Sequence, residues 1–178
     1  MSTATVSATL QSEDCITKRG RAGKYLSFAL GSEEYAIRVL KVREIVKLQH
    51  ITGVPDTPSE VRGVINLRGK VIPVIDLRVK FGMQNSKYGE RTCIIVVEIA
   101  GNLSGPMGII VDEVSEVLTL ADSDIQDTPD FGAGVETPYL LGLAKVRDTV
   151  KILLDIDQVL MTADLTHLSS LGNTAAAG

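Results

Sequence analysis

Asp76 and Asp155 are the residues of this chain most open to a catalytic reading, because they hold equivalent places in two copies of one motif. Residues 63–77 read GVINLRGKVIPVIDL and residues 142–156 read GLAKVRDTVKILLDI, pairing Gly63 with Gly142, Arg68 with Arg147, Val71 with Val150 and Asp76 with Asp155. A duplicated fold sets such residues across a pseudo-twofold axis, where two carboxylates can share one proton and activate water, as in aspartic proteases. That chemistry also needs a small, hydroxyl-bearing turn after each aspartate. Here Leu77-Arg78 and Ile156-Asp157 follow instead. Each aspartate is therefore expected to accept backbone or arginine hydrogen bonds at a strand end, in a structural role.

The remaining chemical inventory is thin. His50 and His167 stand far apart, in no metal-ligand or nucleophile spacing. The run Asp122, Asp124, Asp127, Asp130 offers oxygen ligands but lacks the glycine and the terminal glutamate of an EF-hand, so it reads as a solvated acidic loop. No phosphate-cradling GxxxxGK[ST], dinucleotide GxGxxG or nucleophile-elbow GxSxG occurs. No metal or cofactor is expected. Arg68, at the apex of a two-strand turn, can instead hold a planar guanidinium outward for a carboxylate or carbonyls on a partner. Val42 with Glu44 forms a neighbouring apolar and acidic pair of the kind found on recognition surfaces.

The elements that carry these residues read as short strands. Leu26, Phe28 and Leu30 alternate, Gly31 to Glu34 turns the chain, and Tyr35, Ile37 and Val39 return it. Residues 41–48 fit either a bulged strand or a helical turn, and 58–61 could open a short helical turn after the prolines. Strands over 63–67 and 71–77 meet at Arg68-Gly69, where Gly69 supplies positive φ. Pro73 predicts a sheet edge or a bulge. Residues 93–99 are apolar throughout, as in a strand buried on both faces, and Gly101-Asn102 turns the chain. Strands follow over 107–111, 114–120, 139–146 and 150–156, with a loop over 121–138 and an amphipathic helix over 157–168.

A second pairing precedes each copy of the motif: Ala36-Ile37-Arg38-Val39 with Val42, Glu44 and Ile45 matches Gly108-Ile109-Ile110-Val111 with Val114, Glu116 and Val117. Matching order implies two related β-rich units in tandem. Each would make a marginal core alone and would gain by burying a third apolar layer between them. At 178 residues, 44% hydrophobic and 22% charged, the composition is globular. A net charge of −4 argues against nucleic acid, and the chain has neither a bilayer-length apolar run nor a signal-peptide core. Cys15 and Cys93 do not make a disulfide framework, so the cytoplasm is expected.

VRGVINLRGKVIPVIDLRVKFG at residues 61–82 resembles the signature of the CheW family of bacterial chemotaxis coupling proteins. FALGSEEYAIRVLKVREI and GIIVDEVSEVLTL are similar to that family's other characteristic stretches, and the likeness runs over residues 24–168. The resemblance implies an all-β fold of two intertwined SH3-like five-stranded β-barrels in tandem, with a short C-terminal helix. The first barrel would span 24–90, completed by 150–170, and the second 91–149, between a disordered tail (1–23) and a frayed end (171–178). It also implies a non-enzymatic adaptor that joins the histidine kinase CheA to the cytoplasmic tips of methyl-accepting chemoreceptors in arrays. By motif position, a receptor-facing groove between the barrels would use Val42, Glu44, Gly63, Arg68 and Val71. Kinase contact would use the second barrel around Gly108, Val114 and Val117. The flanking residues leave room for neither a kinase module nor a receiver domain, so a stand-alone coupling protein is expected. A β-barrel interaction module outside chemotaxis, or a hydrolase using Asp76 and Asp155, are the alternatives.

Overall fold

A computed structural model describes residues 21–83, 87–100, 105–128 and 139–161. Eleven strands dominate the described residues: β1 Gly23–Leu30, β2 Glu33–Arg38, β3 Val42–Lys47, β4 Val61–Leu67, β5 Lys70–Asp76, β6 Cys93–Ile99, β7 Gly105–Val111, β8 Glu113–Leu120, β9 Ile125–Gln126, β10 Leu140–Val146 and β11 Thr149–Leu154. Two short helices, α1 Leu77–Lys80 and α2 Ile156–Met161, follow the two copies of the hairpin motif. The ambiguous stretch at 41–48 contains both predicted features in succession: a 3-10 turn at Val39–Lys41 and then β3, bulged between Val42 and Glu44.

The strands form a five-stranded sheet in the order β3-β6-β7-β5-β4 and a second sheet in the order β8-β1-β2-β11-β10-β9, in which β9 contributes only two residues. The registers repeat from one half to the other. Val74 of β5 lies opposite Gly108 in a parallel ladder, and Leu153 of β11 lies opposite Ala36 in another. Bulges recur between Val61 and Gly63 and between Leu140 and Gly142. The sequence repeats are thus β1–β5 and β6–β11, but each sheet takes its hairpin from one repeat and its remaining strands from the other. That exchange is what intertwines the barrels. The break at residue 90/91 separates the repeats along the chain, whereas hydrogen bonding groups β3–β7 apart from β1, β2 and β8–β11.

Each sheet closes on itself in the same way. The chain leaving β3 returns at Thr52 to pair with Val64 of β4, and the chain leaving β8 returns as β9 to pair with Leu143 of β10. Three apolar layers result. Ile65, Ile72, Val74, Ile94, Val96 and Ile110 fill one barrel; Tyr25, Ala36, Leu118, Ile125, Ala144 and Leu153 fill the other. Between them lies the expected third layer, drawn from both barrels and from α1 and α2. Of three phenylalanines and four tyrosines, two of each stack there as Phe28, Tyr35, Phe81 and Tyr139, with ring centroids 5.6–6.2 Å apart.

Three local expectations change. Pro73 lies in β5, an interior strand, and opposite Val64 rather than at a bulge. The parallel ladder to β7 begins only at Val74, so the missing N–H falls just short of it. Residues 58–61 make a single turn, Val61 N donating to Pro58 O at 3.0 Å, and no helix. Leu77 belongs to α1 and not to the strand, because Asp76 caps the helix by accepting from Arg78 N at 3.0 Å. The tail up to residue 20, the Gly101-Asn102 turn, Asp130, and the C-terminal helix and frayed end beyond residue 161 lie outside the described residues.

Candidate functional site

Arg68 and Gly69 form the two-residue loop between β4 and β5, with φ of 53° and 86°. Positive φ at both places is the geometry whose twist matches a two-residue hairpin. Asn66 Oδ1 accepts from Gly69 N at 2.9 Å and holds the turn. Arg147, at the equivalent place between β10 and β11, has φ 51°. An arginine in the left-handed region costs on the order of 1 kcal/mol, and both repeats retain it.

The guanidinium of Arg68 is already engaged within the chain. Its NH1 and NH2 donate to Glu44 Oε1 and Oε2 at 3.2 and 2.8 Å, a two-pronged pair that ties the hairpin apex to the edge strand β3. Arg147 NH2 and Glu116 repeat the pair at 3.8 Å in the other barrel. The Arg68 side chain is 77% exposed, so the pair is screened and contributes on the order of 0.5 kcal/mol to folding. Its geometry favours orientation over stability: the fork is held in one place, at the rim of an open groove.

That groove, of about 430 Å³, is lined by Arg43, Glu44, Leu67, Arg68, Lys70, Ile72, Val96 and Pro106. It lies within the five-stranded barrel. Val42, Glu44, Gly63, Arg68 and Val71 do all belong to that barrel. Val71 is about half exposed, while Val42 packs partly into the layer between the barrels. Gly63 is buried where Thr52 crosses β4, and a Cβ there would come within 1.9 Å of Thr52 O. Gly63 therefore acts through the backbone and has nothing to present to a partner.

The residues expected at the kinase face divide. Val114 and Val117 lie on β8, with Val117 57% exposed and Val114 packed partly inward. Gly108 lies on β7 in the other sheet, where a Cβ would meet Ile94 Cγ2 at 2.8 Å and Val74 Cγ2 at 3.3 Å. The hairpin exchange puts β7 and β8 in different barrels, and this separates Gly108 from the two valines. Four of the exposed apolar side chains fall in equivalent pairs, Ile45 with Val117 and Val71 with Val150, so each barrel carries a version of the same face, while Leu40 and Tyr88 are exposed outside that pairing. Sequence reading missed Ile45 and Val150 as surface residues, although their alignment with Val117 and Val71 was available.

Asp76 and Asp155 each end a strand and cap a helix, one per barrel. Their amides donate to Glu60 O and Tyr139 O, both at 2.8 Å, and Asp155 Oδ1 accepts from Gln158 N at 3.4 Å. Asp76 is fully buried; its oxygens accept from Arg78 Nε at 3.2 Å, Arg78 NH2 at 3.1 Å and the Tyr88 hydroxyl at 3.3 Å, with Arg62 Nε at 3.5 Å. Burial works against the charge on Arg78, but the hydrogen bond and charge of Asp76, with Asp112, outweigh it and hold the guanidinium ionised. Burial, and then the charge of Asp76, push the Tyr88 hydroxyl up, so it stays a donor.

In the acidic loop, Asp124 accepts from Ala121 N at 2.9 Å and Asp127 pairs with Arg21 at 2.7 Å. Among the described residues no cluster of metal-ligating side chains forms, and no helix is long and apolar enough to cross a membrane. His50 is exposed, and His167 and Cys15 lie outside the described residues. Cys93 is a free thiol that burial pushes up.

Residues 24–164 match the CheW-like domain family. The chain is 38% identical over 151 residues to the chemotaxis protein CheW of Klebsiella aerogenes, covering 85% of this chain and 89% of that one. It is 34% identical over 144 residues to the chemotaxis protein CheW of Rhizobium meliloti, covering 81% and 90%. The crystal structure of the scaffolding protein TtCheW from Thermoanaerobacter tengcongensis superposes with a TM-score of 0.69 at 36% identity, covering 78% of this chain and 92% of that one. Tandem SH3-like barrels, a paired arginine and glutamate at each rim, and these likenesses place the chain in the CheW family of chemotaxis adaptor proteins.

Proposed function

We propose that this chain is a non-enzymatic coupling protein of the cytoplasm, holding the histidine kinase CheA against the cytoplasmic tips of methyl-accepting chemoreceptors in arrays. The observation that carries the reading is one body with two related but unequal faces, each built on a barrel that borrows its hairpin from the other repeat. The receptor side is assigned to the five-stranded barrel through Val42, Glu44, Arg68 and Val71, with Gly63 supporting the backbone beneath them. The kinase side is assigned to β8 through Val117 and Val114, with Gly108 shaping the seam. Because the barrels share an apolar layer, a displacement at one face is carried to the other as rigid-body motion. Each contact can be weak, since an array supplies effective concentration.

Co-sedimentation with receptor hairpins and the regulatory domain of the kinase tests the reading directly. Arg68→Ala is expected to reduce receptor affinity roughly tenfold, about 1.4 kcal/mol, while the melting temperature moves by less than about 2 °C because the pair is exposed. Val117→Asp is expected to weaken kinase binding by a similar factor and leave receptor binding intact, since a charge at an apolar contact is costly only where that contact is buried by the partner. Wild-type protein that sediments with neither partner would end the proposal.

A further inference from the structure

Superposing the repeats by their registers aligns every residue of the rim groove with a residue of the six-stranded barrel. Ile72 corresponds to Lys151, Val96 to Ser27, Pro106 to Glu34, Glu44 to Glu116 and Arg68 to Arg147. In the six-stranded barrel this space is filled by the chain itself. Lys151, 3% exposed, donates to Ser27 Oγ at 3.1 Å and to Glu34, with Glu116 Oε1 at 3.9 Å, and Ser115 Oγ reaches Glu34 at 3.4 Å. In the five-stranded barrel the lysine and the glutamate are replaced by isoleucine and proline, and the space stays open.

The open version keeps an apolar floor of Leu67, Ile72, Val96 and Pro106 beneath a rim of Arg43, Lys70 and the Arg68–Glu44 pair. On that lining Arg43, Lys70 and Arg68 face Glu44, and Arg43 also pairs with Glu98 at 3.0 Å, which leaves one cation in excess, whereas in the plugged version Lys151 and Arg147 balance Glu34 and Glu116. We infer that the groove is a socket for a receptor segment presenting a carboxylate beside an aliphatic side chain, the carboxylate meeting Arg43, Lys70 and Arg68 and the aliphatic group covering Ile72 and Val96. This rests on the receptor reading above and adds a reason why only one of two equivalent rims accepts that partner: the other is occupied by its own Lys151–Glu34 pair.

The plug can be transplanted. The double variant Ile72→Lys/Pro106→Glu rebuilds the six-stranded barrel's own solution in the five-stranded one, and Arg43→Glu/Lys70→Glu reverses the rim through exposed side chains only. The probe is the soluble cytoplasmic hairpin of a chemoreceptor, titrated by fluorescence anisotropy against the full chain, with the kinase regulatory domain titrated in parallel. Both variants are expected to lose at least tenfold in hairpin affinity and to bind the kinase domain unchanged. A hairpin whose acidic tip residues are replaced by Gln and Asn is expected to bind the wild type as weakly as the unaltered hairpin binds the plugged variant. A rim-reversed protein, folded by circular dichroism, that binds the hairpin like the wild type overturns the socket while leaving the receptor reading standing. Wild-type protein that binds the kinase domain but no hairpin overturns both.

Discussion

Gly63→Ala is expected to cost about 3 kcal/mol or more, enough to lower the melting temperature of a domain this size by roughly 6–12 °C. A single methyl group at this place would sit 1.9 Å from Thr52 O and 2.7 Å from Thr52 C. Thr52 cannot retreat cheaply, because its N–H and C=O both exchange 2.9 Å hydrogen bonds with Val64, and these bonds close the barrel. Releasing them forfeits about 1 kcal/mol each, and φ of 141° adds strain for any residue with a Cβ. Gly69→Ala is the control. Its φ of 86° is also positive, but nothing lies within 4 Å of the added carbon, so about 1 kcal/mol is expected. Gly142→Ala should fall between them, with Gln126 O at 2.6 Å. Urea unfolding of the three variants checks the order; equal costs for Gly63 and Gly69 would mean that the crossing segment yields. Any receptor defect in Gly63→Ala should then track the unfolded fraction and recover on cooling, unlike the defect of Arg68→Ala.

These same positions explain how much was legible beforehand. Gly63 and Gly142, Arg68 and Arg147, and Asp76 and Asp155 recur because each meets a local demand that few residues satisfy: a crossing backbone, a left-handed turn, a helix cap. Local demands leave marks in sequence. Alternation exposed β1 and β2, and unbroken apolarity exposed β6 as central. The exchange of hairpins left no mark, since the parallel ladders β5 with β7 and β11 with β2 join residues far apart and ask only for apolar side chains. That is why the sequence alone groups Gly108 with Val114 and Val117 although the fold parts them. Arg68 and Glu44 were each noticed, but their mutual pairing depends on barrel closure and was invisible. Lys151 sits in an ordinary strand pattern; only the alignment with Ile72 reveals a cation buried where its counterpart is apolar.

Asp76→Ala should be the costliest single change outside the glycines, at about 3–5 kcal/mol, because it strands a buried cation. Arg78 is 3% exposed, and with Asp76 gone its guanidinium keeps Asp112 at 2.6 Å, Lys87 O at 3.2 Å and the face of the Tyr88 ring at 4.9 Å, but loses its buried counter-charge. The cap of α1 is lost with it. Asp155→Ala provides the comparison, since the repeat aligns Arg62 with Leu141 and Arg78 with Asp157, so neither arginine of the Asp76 cluster has a counterpart there. Loss of its cap alone should cost about 1 kcal/mol. Asp76→Asn retains an acceptor for Arg78 N but not the charge, and should fall between. Denaturant midpoints decide the matter: similar costs for Asp76→Ala and Asp155→Ala would show that the arginines contribute little. The consequence reaches function through Asp112, which accepts from Arg78 on one side and from Gly31 N at 2.7 Å in the β1–β2 turn on the other. Gly31 belongs to the six-stranded barrel and Arg78 follows the five-stranded one, so this chain of charges fixes the angle between the two faces. Faster amide exchange at Gly31 in Asp76→Asn, with both barrel cores still protected, is the expected sign that the strut has loosened before the barrels unfold.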